Sequence, residues 1–317
     1  MEIILKVVRR IFGKLGYDLF YVKRPKKKDF TEANNLIKQI KEDQLNPNLH
    51  LQLSKIALRN EEYFLAIAEL FTARYLGLEQ QLFQENLPKC KDALPDLSKI
   101  PHNVYYRIFS LSEVVKSEIK KRNLKEASVL DAGGGKGELA SFLSNCNYCL
   151  VDPKSNGING LDLPFKDEEF DFVVSCHVLE HVPLEERNAF LNQLCAKAKH
   201  AVILLNPIHV EETLPTRRLE LMIETTNALW AKEHLDCSLP KVEFVESYAK
   251  ENNLHFEHLS NGTITTSIAF AVVDHLSKFW SEDKYRKFNQ FFNTEFVNIL
   301  DSDNYPNAGV FILSKQK

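Results

Sequence analysis

Three glycines at alternate positions follow a carboxylate near the middle of the chain. Residues 129–139 hold Asp131 at the end of an apolar run, and then Gly133, Gly135 and Gly137. An apolar run, a glycine-rich turn and a new apolar-periodic segment predict a buried strand, a tight turn and the start of a helix. Glycine at such a turn permits positive φ and lets a ligand lie against bare backbone. The pattern predicts a ligand-binding turn, and a glycine-rich turn without a ligand is the alternative.

The spacing of these glycines distinguishes between kinds of nucleotide-binding turn. A dinucleotide fingerprint, G-x-G-x-x-G, would need glycine at position 138, which is Glu138, and no G-K-[ST] phosphate loop is present. A second acid, Asp152, ends the next apolar run, residues 148–151. In a doubly wound sheet, an acid at the tip of the second strand can accept hydrogen bonds from both hydroxyls of a ribose. The two acids and the glycine turn therefore predict a site for a ligand that contains a nucleoside.

Four motifs occur in an order that resembles class I S-adenosylmethionine-dependent methyltransferases. They are D-x-G-x-G-x-G at 131–137, D-L-P-F at 162–165, F-D-F-V-V at 170–174 and L-E-H-V at 179–182. The resemblance covers roughly residues 110–207 well and the remainder loosely, and it implies S-adenosyl-L-methionine as cofactor. It also implies that Asp162, before Leu163, contacts the adenine amino group, and that His177 helps to wall the pocket after the fourth strand. The predicted cofactor-binding residues are Asp131, Gly133, Gly135, Gly137, Asp152, Asp162, Leu163 and His177.

The predicted fold is α/β: a doubly wound, mostly parallel, seven-stranded Rossmann-like methyltransferase sheet with an N-terminal helical extension and helical lid insertions. The predicted divisions are a basic amphipathic segment at 1–28, a helical extension at 29–100 and a methyltransferase domain at 101–317, with insertions at 208–240 and 264–300. Only nine residues, rich in turn formers, separate Asp152 from Asp162. A parallel crossover normally needs a dozen residues or more, so a rudimentary third strand is expected there.

The N-terminal extension resembles a tetratricopeptide repeat in one of its helices. Ala66, Leu70 and Ala73 occupy the small, large and small positions of the second helix of such a repeat, whereas the preceding helix lacks the usual Trp, Gly and Tyr. A single repeat cannot bury its own apolar face. This favours a helical hairpin docked on the catalytic domain over a protein-binding array.

The first 28 residues are strongly basic. They contain nine basic and two acidic residues, a net charge of +7, whereas the whole chain has a net charge of −3. Residues 4–15 place apolar side chains on one helical stripe, which is typical of a helix on an anionic membrane surface. A helix docked on its own protein is an equal alternative. Residues 15–22, LGYDLFYV, also resemble N-termini of bacterial enzymes that modify surface glycans.

Composition restricts the class of protein further. With 317 residues, 44% hydrophobic and 26% charged, the chain is typical of a globular protein with a substantial core. There is no run of 18 apolar residues and no signal-peptide pattern, and the six cysteines are expected to be buried thiols in the cell interior. The acidic body argues against nucleic acid as substrate, and no metal site is predicted. We expect a cytoplasmic protein, with a peripheral position at the inner membrane face as a further expectation.

Histidine and acidic side chains near the predicted pocket could take the proton from the hydroxyl that is to be methylated. The candidates are His177, Glu180, His181, Glu233, His234 and Asp236. His181 and His234 are the preferred catalytic residues, because imidazole titrates near neutrality. The predicted function is O-methylation of a sugar or surface-glycan intermediate. The alternatives are methylation of another small or lipid-soluble acceptor, and a non-catalytic scaffold with this fold, which the intact acid and glycine set speaks against.

Overall fold

The structure is a computed structural model that describes residues 30–209, 214–226, 229–263, 273, 277, 280–297 and 306–315. The predicted basic segment, residues 1–28, and much of the second predicted insertion lie outside these residues. No helix in the described ranges is long and apolar enough to cross a membrane.

Helices flank a single sheet in the described part of the chain. The helices are α1 (Thr31–Glu42), α2 (Pro47–Arg59), α3 (Tyr63–Tyr75), α4 (Gln80–Ala93), α5 (His102–Lys121), α6 (Arg187–Lys197), α7 (Leu214–Thr226), α8 (Leu229–Cys237), α9 (Val242–Glu251) and α10 (Glu282–Phe291). The strands are β1 (Ser128–Ala132), β2 (Asn147–Val151), β3 (Phe170–Cys176), β4 (Ala198–Pro207), β5 (Leu254–Thr263) and β6 (Pro306–Lys315). The α/β class is confirmed.

The sheet has six strands among the described residues, in the order β2-β1-β3-β4-β6-β5, where the sequence predicted seven. The first four strands pair in parallel, and β6 runs antiparallel to both β4 and β5. The difference lies between Asp152 and Asp162, where the chain forms turns in place of the expected third strand. Nine residues are too few for a helical crossover back to the sheet edge.

Both faces of the sheet are covered, as predicted for a doubly wound fold. Successive strand residues point to opposite faces, so Val129 packs in one apolar cluster and Leu130 in another. The first cluster contains side chains of α3 and α5, and the second contains side chains of α6 and α9. The strands consequently present near-continuous apolar runs, which is the pattern of a buried parallel sheet.

Helix α3 occupies the place where the β1–β2 connection would supply its own helix. The sequence predicted a helix starting near Leu139, but the chain makes only one 3-10 turn, Glu138–Ser141, before β2 begins. Alanines of α3 at positions 66, 68 and 73 are fully buried in the cluster that contains Leu139 and Leu150. Small side chains let the helix approach the sheet closely, so α3 replaces the missing crossover helix.

Helix α3 and the loop after β2 together satisfy the open edge of β2. The backbone N–H of Leu150 donates to Oγ1 of Thr72 at 2.8 Å, and the carbonyl of Leu150 accepts from Nδ2 of Asn156 at 2.9 Å. An unpaired strand edge that is buried would leave such groups without partners, at a cost of about 1–3 kcal/mol each. Thr72 and Asn156 therefore take the role of a neighbouring strand.

A buried polar network ties these helices to the loop after β2. Glu69, at 0% exposure, accepts from Asn156 through Oε1 at 2.9 Å and pairs with Nδ1 of His50 through Oε2 at 2.6 Å. Burial lowers the pKa of His50, but the Glu69 carboxylate outweighs it and the pKa is raised overall. A buried carboxylate is tolerated because each oxygen has a partner. The N-terminal helices and the sheet thus share one polar network, while the tetratricopeptide likeness stays a prediction.

The contact between Gly137 and α3 leads to a test of stability. A Cβ on Gly137, at φ +76°, would lie 2.3 Å from Cβ of Ala68, whereas a Cβ on Gly77, at φ +103°, would meet nothing within 4 Å. We expect Gly137→Ala to lower the free energy of unfolding by about 2–4 kcal/mol, because it adds overpacking to backbone strain. Gly77→Ala should cost about 1–2 kcal/mol from strain alone. Urea unfolding of both variants measures the difference.

A double-mutant cycle with Ala68→Gly separates packing from strain. If the clash with α3 is the cause, the cycle should show a favourable coupling of about 1 kcal/mol or more. If Gly137→Ala and Gly77→Ala lower the free energy of unfolding equally and the coupling is zero, the close contact between Gly137 and Ala68 is contradicted.

Candidate active site

The glycine turn presents one open position at the carboxyl end of β1. Gly133, Gly135 and Gly137 all have positive φ, at 75°, 56° and 76°. A Cβ on Gly133 would meet Val178, and one on Gly134 would lie 2.3 Å from a carboxylate oxygen of Asp131, whereas one on Gly135 would meet nothing within 4 Å. The turn is therefore closely packed on both sides of Gly135 and open at Gly135 itself.

Asp152 lies directly after β2 and braces this turn. Its Oδ2 accepts from the N–H of Gly135 at 3.1 Å, and its Oδ1 accepts from the N–H groups of Lys154 and Ser155. A carboxylate has about four acceptor sites. One site on Oδ2 is therefore left beside the open position, which is enough for one ribose hydroxyl, so the role of Asp152 as acceptor for both hydroxyls stays a prediction.

Asp131 is buried beneath the turn. Burial raises its pKa to about 7, against the effect of a hydrogen bond of 2.6 Å from the hydroxyl of Tyr148 to Oδ2. Its other oxygen, Oδ1, is buried and accepts no hydrogen bond from the described residues. Buried polar atoms normally have partners, so Oδ1 is an exception among the buried oxygens beneath this turn.

The remaining predicted cofactor residues divide between the surface and the core. Asp162 is exposed on the turn after β2 and Leu163 is buried beneath it. His177, at the end of β3, has φ +57° and donates its backbone N–H to the carbonyl of Leu205 at 2.8 Å. The neighbouring Val178 lies against the glycine turn, since a Cβ on Gly133 would be 2.4 Å from its Cγ2 atom.

The two preferred catalytic histidines come together although 53 positions separate them in the sequence. His181 lies in the 3-10 turn Leu179–His181, His234 lies on α8, and their ring centroids are 5.0 Å apart. Glu180 is fully buried beside them, and its Oε1 lies 4.0 Å from Nε2 of His234. Whether either histidine acts in catalysis stays a prediction, but the structure places them in one cluster.

Two further side chains hold Glu180 in place. Nδ2 of Asn206, near the end of β4, donates to Oε2 of Glu180 at 2.6 Å. Nδ1 of His177 lies 3.3 Å from Oε1 of the same carboxylate. Burial lowers the pKa of His177, while the pKa of Glu180 is lowered by the nearby imidazole in spite of its burial. Glu180 is thus a carboxylate held at the carboxyl ends of β3 and β4.

Arg187 fixes the relation between α8 and the turn that contains Glu180 and His181. Its side chain is almost completely buried and donates to three carbonyls: Val182 at 3.0 Å, Cys237 at 3.0 Å and Ser238 at 2.6 Å. Sequence analysis missed Arg187 and Asn206, because neither belongs to a recognised motif. In the sequence, Arg187 is recognisable only as a cationic residue at the start of a helix, and such a residue is more often exposed to solvent.

One protein-family model matches part of the chain. Residues 102–259, just under half of the chain, match the family model described as a methyltransferase domain. A comparison with curated proteins gives no significant match. The cofactor predicted from the sequence, S-adenosyl-L-methionine, agrees with a methyltransferase domain.

The solved structures to which the chain is similar include several methyltransferases, all with low sequence identity. They include a candidate sarcosine dimethylglycine methyltransferase from Galdieria sulphuraria, with 16% identity, TM-score 0.42 and coverage of 66% of this chain and 86% of that chain. A methyltransferase dependent on S-adenosylmethionine from Archaeoglobus fulgidus has 17% identity, TM-score 0.38 and coverage of 64% and 94%. Phosphoethanolamine N-methyltransferase 2 from Haemonchus contortus, in complex with S-adenosyl-L-methionine, has 13% identity, TM-score 0.41 and coverage of 64% and 53%. The family match supports a methyltransferase and places the similarity in residues 102–259.

Proposed function

We propose that this chain transfers a methyl group from S-adenosyl-L-methionine to a hydroxyl oxygen of a sugar or surface-glycan intermediate. The observation that carries the proposal is the open position at Gly135, with the Asp152 carboxylate beside it and the Glu180–His181–His234 cluster at the ends of the neighbouring strands. In open α/β sheets, ligands bind in the crevice outside the carboxyl ends of the strands. The glycine turn would hold the cofactor and the cluster would face the acceptor.

For methyl transfer, the protein has mainly to align the methyl donor with the acceptor. The cofactor supplies a methyl group on a positively charged sulfur. Asp152 would orient the ribose, Asp131 would accept a hydrogen bond from a donor on the cofactor, and Asp162 would contact the adenine. Alignment of reactants and exclusion of water provide much of the rate enhancement in such a reaction.

A hydroxyl acceptor makes one further demand, because it is a poor nucleophile until its proton leaves. The Glu180–His181–His234 cluster is the group of side chains that we propose for this task. Positioned general bases contribute about 10²–10⁴-fold in rate. A cluster able to accept a proton favours a hydroxyl acceptor over a neutral amine, because the amine nitrogen is nucleophilic without losing a proton.

The cofactor part of the proposal is tested at Gly135. Calorimetry should show binding of S-adenosyl-L-methionine and of its demethylated product, with NAD and ATP inert. We expect Gly135→Val to weaken binding at least 100-fold, a loss of about 2.7 kcal/mol, because its side chain would fill the space left open for the ligand. Gly77→Val is the matched control, since it also has positive φ and open space but lies far from the turn in the sequence. Tight binding of NAD, or equal affinities in the two variants, would contradict the assignment.

The acceptor class is tested with cell extract and labelled cofactor. Wild-type protein should transfer label to a glycan or glycolipid fraction, and Gly135→Val should not. Treatment with base or hydroxylamine should leave the label in place, because an O-methyl ether resists conditions that cleave methyl esters. Label that appears only in amines, or only in small molecules without sugar, would exclude the glycan assignment and leave the cofactor assignment intact.

We also propose that residues 1–28 bind an anionic membrane surface, and this part of the proposal rests on their net charge of +7. Full-length protein should bind vesicles that contain anionic lipid, bind neutral vesicles poorly, and detach as salt screens the attraction. Deletion of residues 1–28 should abolish vesicle binding and leave cofactor affinity unchanged. If the shortened protein instead loses cofactor binding, the segment is a helix docked on the protein.

A further inference from the structure

The Glu180–His181–His234 cluster has the composition of a metal site. Each residue offers one ligand atom, and these atoms all lie within 4.8 Å of one another. We propose that the cluster binds a divalent transition-metal ion, and that an open coordination position on the ion takes the hydroxyl oxygen of the methyl acceptor. Two imidazoles and one carboxylate suit ions such as Mn²⁺, Co²⁺ or Zn²⁺ and leave positions free for substrate. The sequence predicted no metal, because its ligands are separated along the chain.

The three ligand atoms must draw together to share an ion. Nitrogen and oxygen ligands lie about 2.0–2.2 Å from a bound zinc ion, so in a tetrahedral site they are about 3.3–3.6 Å from one another. Oε1 of Glu180 and Nε2 of His234 are 4.0 Å apart, and all three ligand atoms lie within 4.8 Å of one another. Side-chain rotations can close these gaps, and His181, at 40% exposure, has room to rotate.

One oxygen of the Glu180 carboxylate lies beside histidine side chains. Oε2 accepts from Asn206, while Oε1 is fully buried and lies 3.3 Å from Nδ1 of His177 and 4.0 Å from Nε2 of His234. Neither nitrogen makes a hydrogen bond of good geometry with Oε1. Burial of a charge is costly unless the charge is paired or bound to a metal. A cation between Oε1 and the imidazoles of His181 and His234 would complete the interactions of this oxygen.

Two neighbouring residues affect the position of the ligands. Oε2 of Glu233, an exposed side chain, lies 3.6 Å from Nδ1 of His181, which is beyond hydrogen-bond distance. A small rotation of Glu233 would let it accept from Nδ1 and leave the other nitrogen of His181 for the ion. Arg187, through its hydrogen bonds to Val182, Cys237 and Ser238, holds α8 against the turn that contains Glu180 and His181. The relative position of the ligands is therefore set by a buried side chain that takes no part in binding the ion.

The catalytic part of this inference rests on the proposed function. A metal ion lowers the pKa of a hydroxyl that it coordinates, so the acceptor loses its proton to water. An electron pair of the acceptor oxygen then forms the bond to the methyl carbon. The carbon–sulfur bond breaks with its electron pair remaining on sulfur, which becomes neutral. The products are the methyl ether, the uncharged thioether and one proton in solution.

The experiment is a calorimetric titration of full-length, chelator-treated protein with Mn²⁺ and, separately, Zn²⁺, with Mg²⁺ for comparison. We expect one Mn²⁺ or Zn²⁺ per chain and much weaker Mg²⁺ binding. His181→Ala, whose side chain is partly exposed, and His234→Ala should each weaken binding at least 100-fold. His255→Ala is the matched control, because this exposed histidine on β5 also lies beside a carboxylate, Glu257, at 3.3 Å. Its affinity for the ions should equal that of the wild type.

Binding of the demethylated cofactor product, measured on the same samples, separates the two proposals. No ion bound by the wild type, or equal ion affinity in all variants, overturns the metal site. Zinc binding that survives in His181→Ala/His234→Ala points to the cysteines and also overturns it. If the cofactor product still binds in those cases, the proposed function stands with a histidine as direct base. If ions bind as expected but the cofactor product does not, the metal site stands and the proposed function falls.

Discussion

The open edge of β2 is the constraint on which the rest of the structure depends. Since the turns after Asp152 add no strand there, α3 covers the edge, with Thr72 bound to Leu150 and Glu69 bound to Asn156. The same helix faces Gly137 so closely that no Cβ fits. The glycine turn is thus held from beneath by a helix that precedes every methyltransferase motif in the sequence.

The candidate site consists of two halves that meet where β1 and β3 end. The half proposed to bind the cofactor is a backbone turn braced by Asp152. The half proposed to face the acceptor is a polar cluster around a buried carboxylate, Glu180. The two halves touch through Val178 against Gly133, so a change of packing at either residue would alter the distance between them.

Local patterns predicted much of this architecture. The apolar runs of β1, β2 and β3 and the helix α3 were identified within a few residues, because burial on both faces of a sheet or on one face of a helix leaves a periodic trace. The glycine turn and Asp152 were predicted from spacing alone. The helix expected after Gly137 was wrong: the segment around Leu139 has helical periodicity, but α3 already occupies the space above the sheet.

The sequence alone determined the order of the elements and the residues of the cofactor turn, since strand, turn and acid lie next to one another along the chain. Only the tertiary structure decided which distant residues meet. His181 and His234 were chosen separately for their chemistry, and nothing in the sequence placed them 5.0 Å apart around Glu180. That arrangement depends on Arg187, which joins α8 to the turn through backbone carbonyls. Backbone carbonyls are present at every residue and leave no trace in residue identity, so such contacts cannot be read from sequence.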